Sequence, residues 1–448
     1  MAAANGAGDP VRRHLVLDER RLNDVELKHD RVRVLLQESG ADALLLQDPV
    51  NIAWFTAGAD PSRFGVESCQ TSVFITEDAR LFATNSVDSA LLFEREAFGL
   101  GFQLKQREWF QPHRELVDDL CRGRRVLSDS DHAPKRQAAR LLADLRLPLT
   151  PLEVDRLRRL SRVVTHAVEV SAANARPGMT EAAIAGEIAH RLVKRTVNPV
   201  RIQVAADGRL ARFRHWAFGE EPVERFATIS CIARRWGLHA AVTRTVCLGH
   251  VPDELWQAYQ KLALVHGTAL YFTRNTLMLQ DVWKRVQRIY EKFGLPCEWL
   301  QSDQADVIGY RASEHRLTPD SSCALQEGVP VFWHPSVGEA ATGDTLLVTA
   351  RGPELLTRSA RWPEMSVLVK GHGIPVPGLL RVRTSESSSE PKFKAVPAGT
   401  SASLFDATGI ADDDHDDRMD SIWELDLTSE RSIFEEDESA YSEESVFD

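Results

Sequence analysis

Short apolar runs alternate with stretches of helical periodicity along most of the chain, and that alternation predicts an α/β protein. Val25, Leu27, Val32, Val34, Leu35 and Leu36 recur near the helical period, so residues 24–40 read as an amphipathic helix that Gly40 stops. Ala43-Leu44-Leu45-Leu46 follows as a buried strand, Asp48-Pro49-Val50-Asn51 as a turn, and residues 72–75 and 80–84 as further strands. Residues 151–174, with Leu157, Leu160, Val163, Val164 and Val168 on one face, form a long helix that ends at Arg176-Pro177-Gly178. Thr180 then caps a second helix over residues 181–194. A domain boundary falls near residue 150.

The apolar runs 226–233 and 238–247 are rich in β-branched residues and flank Arg234-Arg235-Trp236-Gly237, which predicts a hairpin. A turn centred between Arg235 and Trp236 sets Ser230 opposite Ala241. Helices over residues 253–273 and 280–293 and strands around 329–333, 345–349 and 365–369 complete the body. Gly371-His372-Gly373-Ile374 reads as a turn between two of the last strands.

Beyond residue 383 the periodicity stops and serines and acids take over, the composition of a disordered acidic tail. Residues 403–448 hold 17 acidic and 2 basic residues against 65 and 54 in the whole chain, so the net charge of −11 belongs to the tail and the body is +4. Four segments there share one frame of serine, aliphatic, aromatic and acid: Ser403-Leu404-Phe405-Asp406, Ser421-Ile422-Trp423-Glu424, Ser432-Ile433-Phe434-Glu435 and Ser445-Val446-Phe447-Asp448. Two readings stand, a solubilising tail or a set of repeated docking peptides for a protein partner.

A body without a basic cluster offers nucleic acid no electrostatic footprint. No apolar run approaches a membrane span, and the first residues lack a signal core, so a soluble cytoplasmic protein is expected. The six cysteines are scattered without a C-x-x-C pair and read as buried free thiols.

Thr243-Arg244-Thr245 at the hairpin end, Arg214-His215 upstream, DPVNIAWFTAGAD from Asp48 and WHPSVGEAATGDTLLVT from Trp333 together carry a family signal. By these motifs the chain resembles the creatinase, aminopeptidase P and methionine aminopeptidase family of "pita-bread" metallopeptidases over residues 20–382. The resemblance implies a flexible N-terminus to residue 19, a creatinase-like α/β domain over 20–150 and a pita-bread domain over 151–382. Members hold two divalent metal ions, manganese, cobalt or zinc, on two Asp, one His and two Glu, and use them to generate hydroxide near neutral pH. The corresponding positions here are Ser230, Ala241, Asp303, His334 and Gly343, so the resemblance implies a divergent branch without the metal cofactor.

Three functions follow as expectations. The first is a pseudoenzyme whose cleft binds a peptide or small molecule. The second is a hydrolase of Xaa-Pro aminopeptidase type or of metal-independent creatinase type. It would use His215 as acid and base, Glu314, Asp303 or Asp344 as carboxylate, and Arg244 to bind an anionic group. The third is a structural subunit, since relatives commonly form homodimers. A metal site rebuilt from His215, His239, Asp303 and His334 is a further alternative.

Overall fold

The computed structural model describes residues 16–62, 70–129, 135–383 and 425–426. The chain begins with α1 (Glu19–Ser39), β1 (Ala43–Leu46), α2 (Pro49–Phe55), β2 (Ser72–Ile75), β3 (Arg80–Asn85), β4 (Gln103–Arg107), α3 (His113–Cys121), β5 (Val126–Ser128) and α4 (Lys135–Arg146). The five strands form one mixed sheet in the order β4-β3-β2-β1-β5, with β1 parallel to β5 and antiparallel to β2. Two helix starts differ from the sequence expectation, for one reason. Asp18 caps α1 by accepting from the Arg21 amide at 3.1 Å, seven residues ahead of Val25, where the apolar repeat begins. Asp48 likewise caps α2, with Pro49 in its first turn, so residues 48–51 open a helix and are not a free turn.

Then come α5 (Pro151–Ala173), α6 (Glu181–Lys194), β6 (Asn198–Ala206), β7 (Phe226–Arg235), β8 (Leu238–Leu248), α7 (Asp253–Phe272) and α8 (Leu279–Lys292). The chain continues through β9 (Ala305–Val307), β10 (His315–Arg316), β11 (Pro330–Trp333), β12 (Ser336–Val337), β13 (Ala340–Ala341), β14 (Gly343–Thr349) and β15 (Gly352–Leu355). Last are β16 (Glu364–Val369), β17 (His372–Pro377), β18 (Leu380–Val382) and β19 (Leu425–Asp426). The second sheet runs β10-β9-β11-β14-β8-β7-β6, with α5 laid across β7 and β8 and α6 against β6. Helix α7 packs on β16 and β17 and against α8, and a second apolar cluster gathers around Tyr259, Trp283 and Trp333. A hairpin does join β16 and β17, but its turn is Lys370-Gly371, with positive φ of 52° and 76°, and His372, Gly373 and Ile374 of the expected turn already belong to β17, paired with Val369, Leu368 and Val367.

The two sheets meet at residue 150. Thr150 and Glu153 form a reciprocal capping box at the start of α5. Beside it Lys28, fully buried, bridges Asp24 and Glu153 at 2.6 Å each and donates to the Trp54 carbonyl at 2.7 Å. The Tyr310 hydroxyl donates to Glu153 at 2.7 Å, so α1, α2, α5 and the segment between β9 and β10 share one buried charge network.

Most of the expected acidic tail, including all four serine-aromatic-acid frames, lies outside the described residues. The exception is β19, which adds two residues to the edge of β16 through the pairs Ser366 with Asp426 and Val367 with Leu425. Cys121, Cys231, Cys247, Cys297 and Cys323 form no disulfide; Cys231 and Cys247 are buried, with thiols pushed up to about 12 by burial, whereas Cys297 is exposed. No helix among the described residues is long and apolar enough to cross a membrane.

Candidate functional site

The β7–β8 hairpin organises the cleft, as expected, in a different register. Arg235 pairs with Leu238 and the two-residue turn is Trp236-Gly237, with φ of 54° and 81°, so Ser230 faces Thr243 and Ile232 faces Ala241. The turn sits one residue later than expected because Gly237 takes the second left-handed position while packed tightly; a Cβ there would lie 2.8 Å from the Tyr310 ring and 2.9 Å from Ala53. A shift of two positions in pairing keeps each side chain on its face. Ser230, Ile232, Ala241 and Thr243 therefore still look the same way.

That face carries apolar packing and a hydroxyl pair. Thr243 Oγ1 donates to Ser230 Oγ at 2.9 Å. Ala241 packs with Ile232, Ile308 and Phe332 in a small cluster in which none of the four is more than 8 % exposed. Gly343, across from Thr243, has no room for a side chain: a Cβ would lie 2.9 Å from the Trp333 carbonyl and 3.0 Å from both Phe332 and Thr243. His334 stacks on Phe332 at 4.8 Å between ring centroids and bonds Asp306 Oδ2 at 3.2 Å. Burial works against the Asp306 carboxylate, yet His334 and Ser313 hold its pKa below the usual range.

The other candidates separate. His215 stands in a turn at the mouth, its side chain 62 % exposed, with Nε2 3.5 Å from Asp303. Asp303 also faces Arg316 at 3.8 Å. Arg244 and Glu314 are corrected from their expected roles, because each is consumed by the fold. Arg244 is buried, and all three of its side-chain nitrogens are matched: Nε to Glu169 at 3.3 Å, Nη1 to the carbonyls of Thr243 and Gly343, and Nη2 to Asp344 at 2.9 Å and the Thr357 carbonyl. Asp344 takes its second partner from His266 Nε2 at 2.9 Å, which removes it from the cleft as well. Burial opposes its charge, but Arg244 and His266 hold the carboxyl far below the ordinary range. Glu314, buried, makes a two-pronged ion pair with Arg146 of α4. It fastens the first sheet to the second and has no free oxygen for a ligand, since Arg311 N also donates to it at 3.1 Å.

His239, expected as a possible metal ligand, is buried; its Nδ1 lies 3.1 Å from the Gly309 carbonyl, and burial pushes its pKa down to about 4. The structure does not bring His215, His239, Asp303 and His334 to one point. Among the described residues no three or more His, Cys, Asp or Glu side chains form a group that could hold a metal ion.

Two residues the sequence reading missed define what the cleft can do. β6 was not anticipated, although Val200, Ile202 and Val204 alternate with Arg201, Gln203 and Ala205 at the strand period. Arg201 and Gln203 point from it into a cavity of about 50 Å³ that Arg214, Ser230, Thr243 and His334 also line. Past His215 and Ser302, which line both, lies a second cavity of about 320 Å³ walled by Trp283, Trp299, Leu300, Leu317 and Pro319. Trp283 and Trp299 meet edge to face at 5.2 Å there, and Leu300 is 65 % exposed.

Residues 155–350 match metallopeptidase family M24. The chain is similar to an uncharacterized peptidase of Bacillus subtilis, YqhT, at 21 % identity over 359 residues, covering 75 % of this chain and 99 % of that one. Its fold superimposes on an Xaa-Pro dipeptidase from Bacillus anthracis with a TM-score of 0.64 at 18 % identity, over 80 % of this chain and 100 % of the dipeptidase. It also superimposes on the N-terminal domain of the FACT complex subunit SPT16 from chickpea, with a TM-score of 0.59 at 12 % identity, over 75 % and 96 % of the two chains. The hairpin, the second sheet around it and the sequence match agree: residues 155–350 match the metallopeptidase family M24 model, and the chain shares its fold with these proteins.

Proposed function

We propose that this chain is a non-catalytic binding protein built on the M24 fold. One observation carries the reading: an apolar plug of Ile232, Ala241, Ile308 and Phe332 stands where the resemblance puts metal-bridging carboxylates. Two divalent ions need a shared set of anionic and imidazole donors. The residues present do not fit them. Ser230 is engaged with Thr243, Ala241 offers no donor, Gly343 has no space for a side chain, and His334 is turned onto Asp306. A carboxylate placed among the plug residues would be desolvated without compensation.

The fold is compatible with roles of different kinds, since one neighbour is an Xaa-Pro dipeptidase and another a domain of a FACT complex subunit. Activity has to be argued from the site. The metal question is tested by purifying the full chain from manganese-, cobalt- and zinc-supplemented cultures and measuring bound metal together with turnover of proline-containing dipeptides. The reading expects substoichiometric metal and no turnover. Stoichiometric metal with turnover overturns it.

A second reading, a metal-independent hydrolase, is favoured by a single feature, the exposed His215 beside Asp303 at the cleft mouth. An imidazole oriented by a carboxylate is the usual acid–base pair. Turnover of creatine or a proline dipeptide that disappears in His215→Ala would establish it.

A further inference from the structure

The cleft contains guanidinium groups with unused donors. The Arg214 side chain is only 8 % exposed, and its Nη2 reaches Glu298 at 3.2 Å, but Nε and Nη1 have no acceptor among the described residues. Arg201 Nε has none either. Burial lowers the pKa of Arg201, with Asp306 and Asp303 opposing at a distance. The neighbouring acids are already engaged: Glu298 accepts from Arg214 and the Gly338 amide, Asp306 from His334 and Ser313. A buried charged donor without a partner costs free energy, and a carboxylate is the acceptor whose geometry matches a guanidinium edge.

Shape narrows the ligand further. About 50 Å³ is room for a carboxylate and little more, given that a cavity of roughly 10–15 Å³ holds one water. The adjoining 320 Å³ chamber presents indole faces and aliphatic walls, with the Nε1 atoms of Trp283 and Trp299 unpartnered among the described residues. An acid next to an aromatic side chain would fill both at once. This chain repeats that chemistry four times, in the serine, aliphatic, aromatic, acid frames between residues 403 and 448. The tail also returns to the body, since Leu425–Asp426 pairs with β16.

The geometry points to a cleft that binds acidic-aromatic peptides of the kind carried on the chain's own tail, with the carboxylate between Arg201 and Arg214 and the aromatic ring in the tryptophan chamber. This rests on the reading of the cleft as a metal-free binding site. The occupancy is reversible, and no bond is made or broken.

The test is titration calorimetry of the full chain with the acetylated peptide Ser-Ile-Phe-Glu, residues 432–435, and with the same peptide carrying Glu435→Gln. A second full-length protein bearing Phe405→Ala, Trp423→Ala, Phe434→Ala and Phe447→Ala removes competition from the tail in cis. Binding to either protein is expected, at least tenfold weaker for the glutamine peptide and at least tenfold weaker in Arg201→Met, with partial recovery in Arg201→Lys. Absence of binding to both proteins at millimolar peptide overturns the proposal, as does binding indifferent to the peptide carboxylate or to Arg201. Metal content and dipeptide turnover of the same samples separate the two failures. Metal with turnover removes the underlying reading, whereas a metal-free, inactive protein that ignores the peptide removes only this one.

Discussion

Two arginine sites lie on one sheet, on strands separated by β7, and have opposite characters. Arg244 on β8 has each nitrogen matched by Glu169, Asp344 or a backbone carbonyl, and Asp344 is held in turn by His266 and Thr357. Arg201 on β6 and Arg214 in the turn beyond it face a cavity with donors left over. Full satisfaction fixes a side chain as part of the frame; residual demand leaves it able to recruit a ligand. The TRT motif, the best family signal in the hairpin, therefore marks structure, and the recognition chemistry joins Arg214 of the Arg214-His215 motif to Arg201, on a strand that carries no motif.

The contrast can be broken most forcefully at the frame. Arg244→Met leaves Asp344 and Glu169 buried without their counterion and is expected to cost about 3–5 kcal/mol in urea unfolding. If the midpoint hardly moves, the network is not the frame. The same network should show in acid. Because the Asp344 carboxyl is depressed in the folded chain, its contribution is present above the unfolded value of about 4 and is lost as pH falls below it. The stability of Asp344→Asn should accordingly depend less on pH between about 5 and 2 than that of the native chain.

Next in size is the plug. Ala241→Asp would place a carboxylate against Ile232, Ile308 and Phe332, and a loss of about 3 kcal/mol is expected, without any gain of bound manganese by elemental analysis. A variant that takes up metal and keeps its stability would show that the plug yields. Gly343→Ala, with its Cβ forced 2.9 Å from the Trp333 carbonyl, should lower stability by about 1–3 kcal/mol in thermal unfolding. Smallest is Arg201→Met, expected to stay within about 0.5 kcal/mol of the native chain, since no ion pair is broken. A large loss there would mean that Arg201 belongs to the frame as Arg244 does.

Much of the architecture was readable because it depends on local signals. The apolar face of α5, the capping of α6 by Thr180, the apolar repeat of α1 and the β-branched runs of β7 and β8 are set by neighbours close in sequence. What misled was also local in origin. Asp48-Pro49 signals a turn and a helix start equally well, and only the tertiary setting of α2 selects the helix. The hairpin register needed Gly237 to be packed against Tyr310 and Ala53, residues some 70 and 180 positions away in the chain.

For the site, the sequence by itself determined the residue types at the positions where the family resemblance implies metal ligands: Ser230, Ala241, Asp303, His334 and Gly343. It also showed the acid-aromatic frames of the tail. Only the tertiary structure decided that Arg244, Asp344 and Glu314 are spent inside the protein, and that Arg201 and Arg214, 13 residues apart, converge on one cavity. The physical reason is that a charged side chain has no role until its partners are known. Those partners come from strands and helices distant in sequence, whose pairing is fixed by the packed core and not by any run of neighbouring residues.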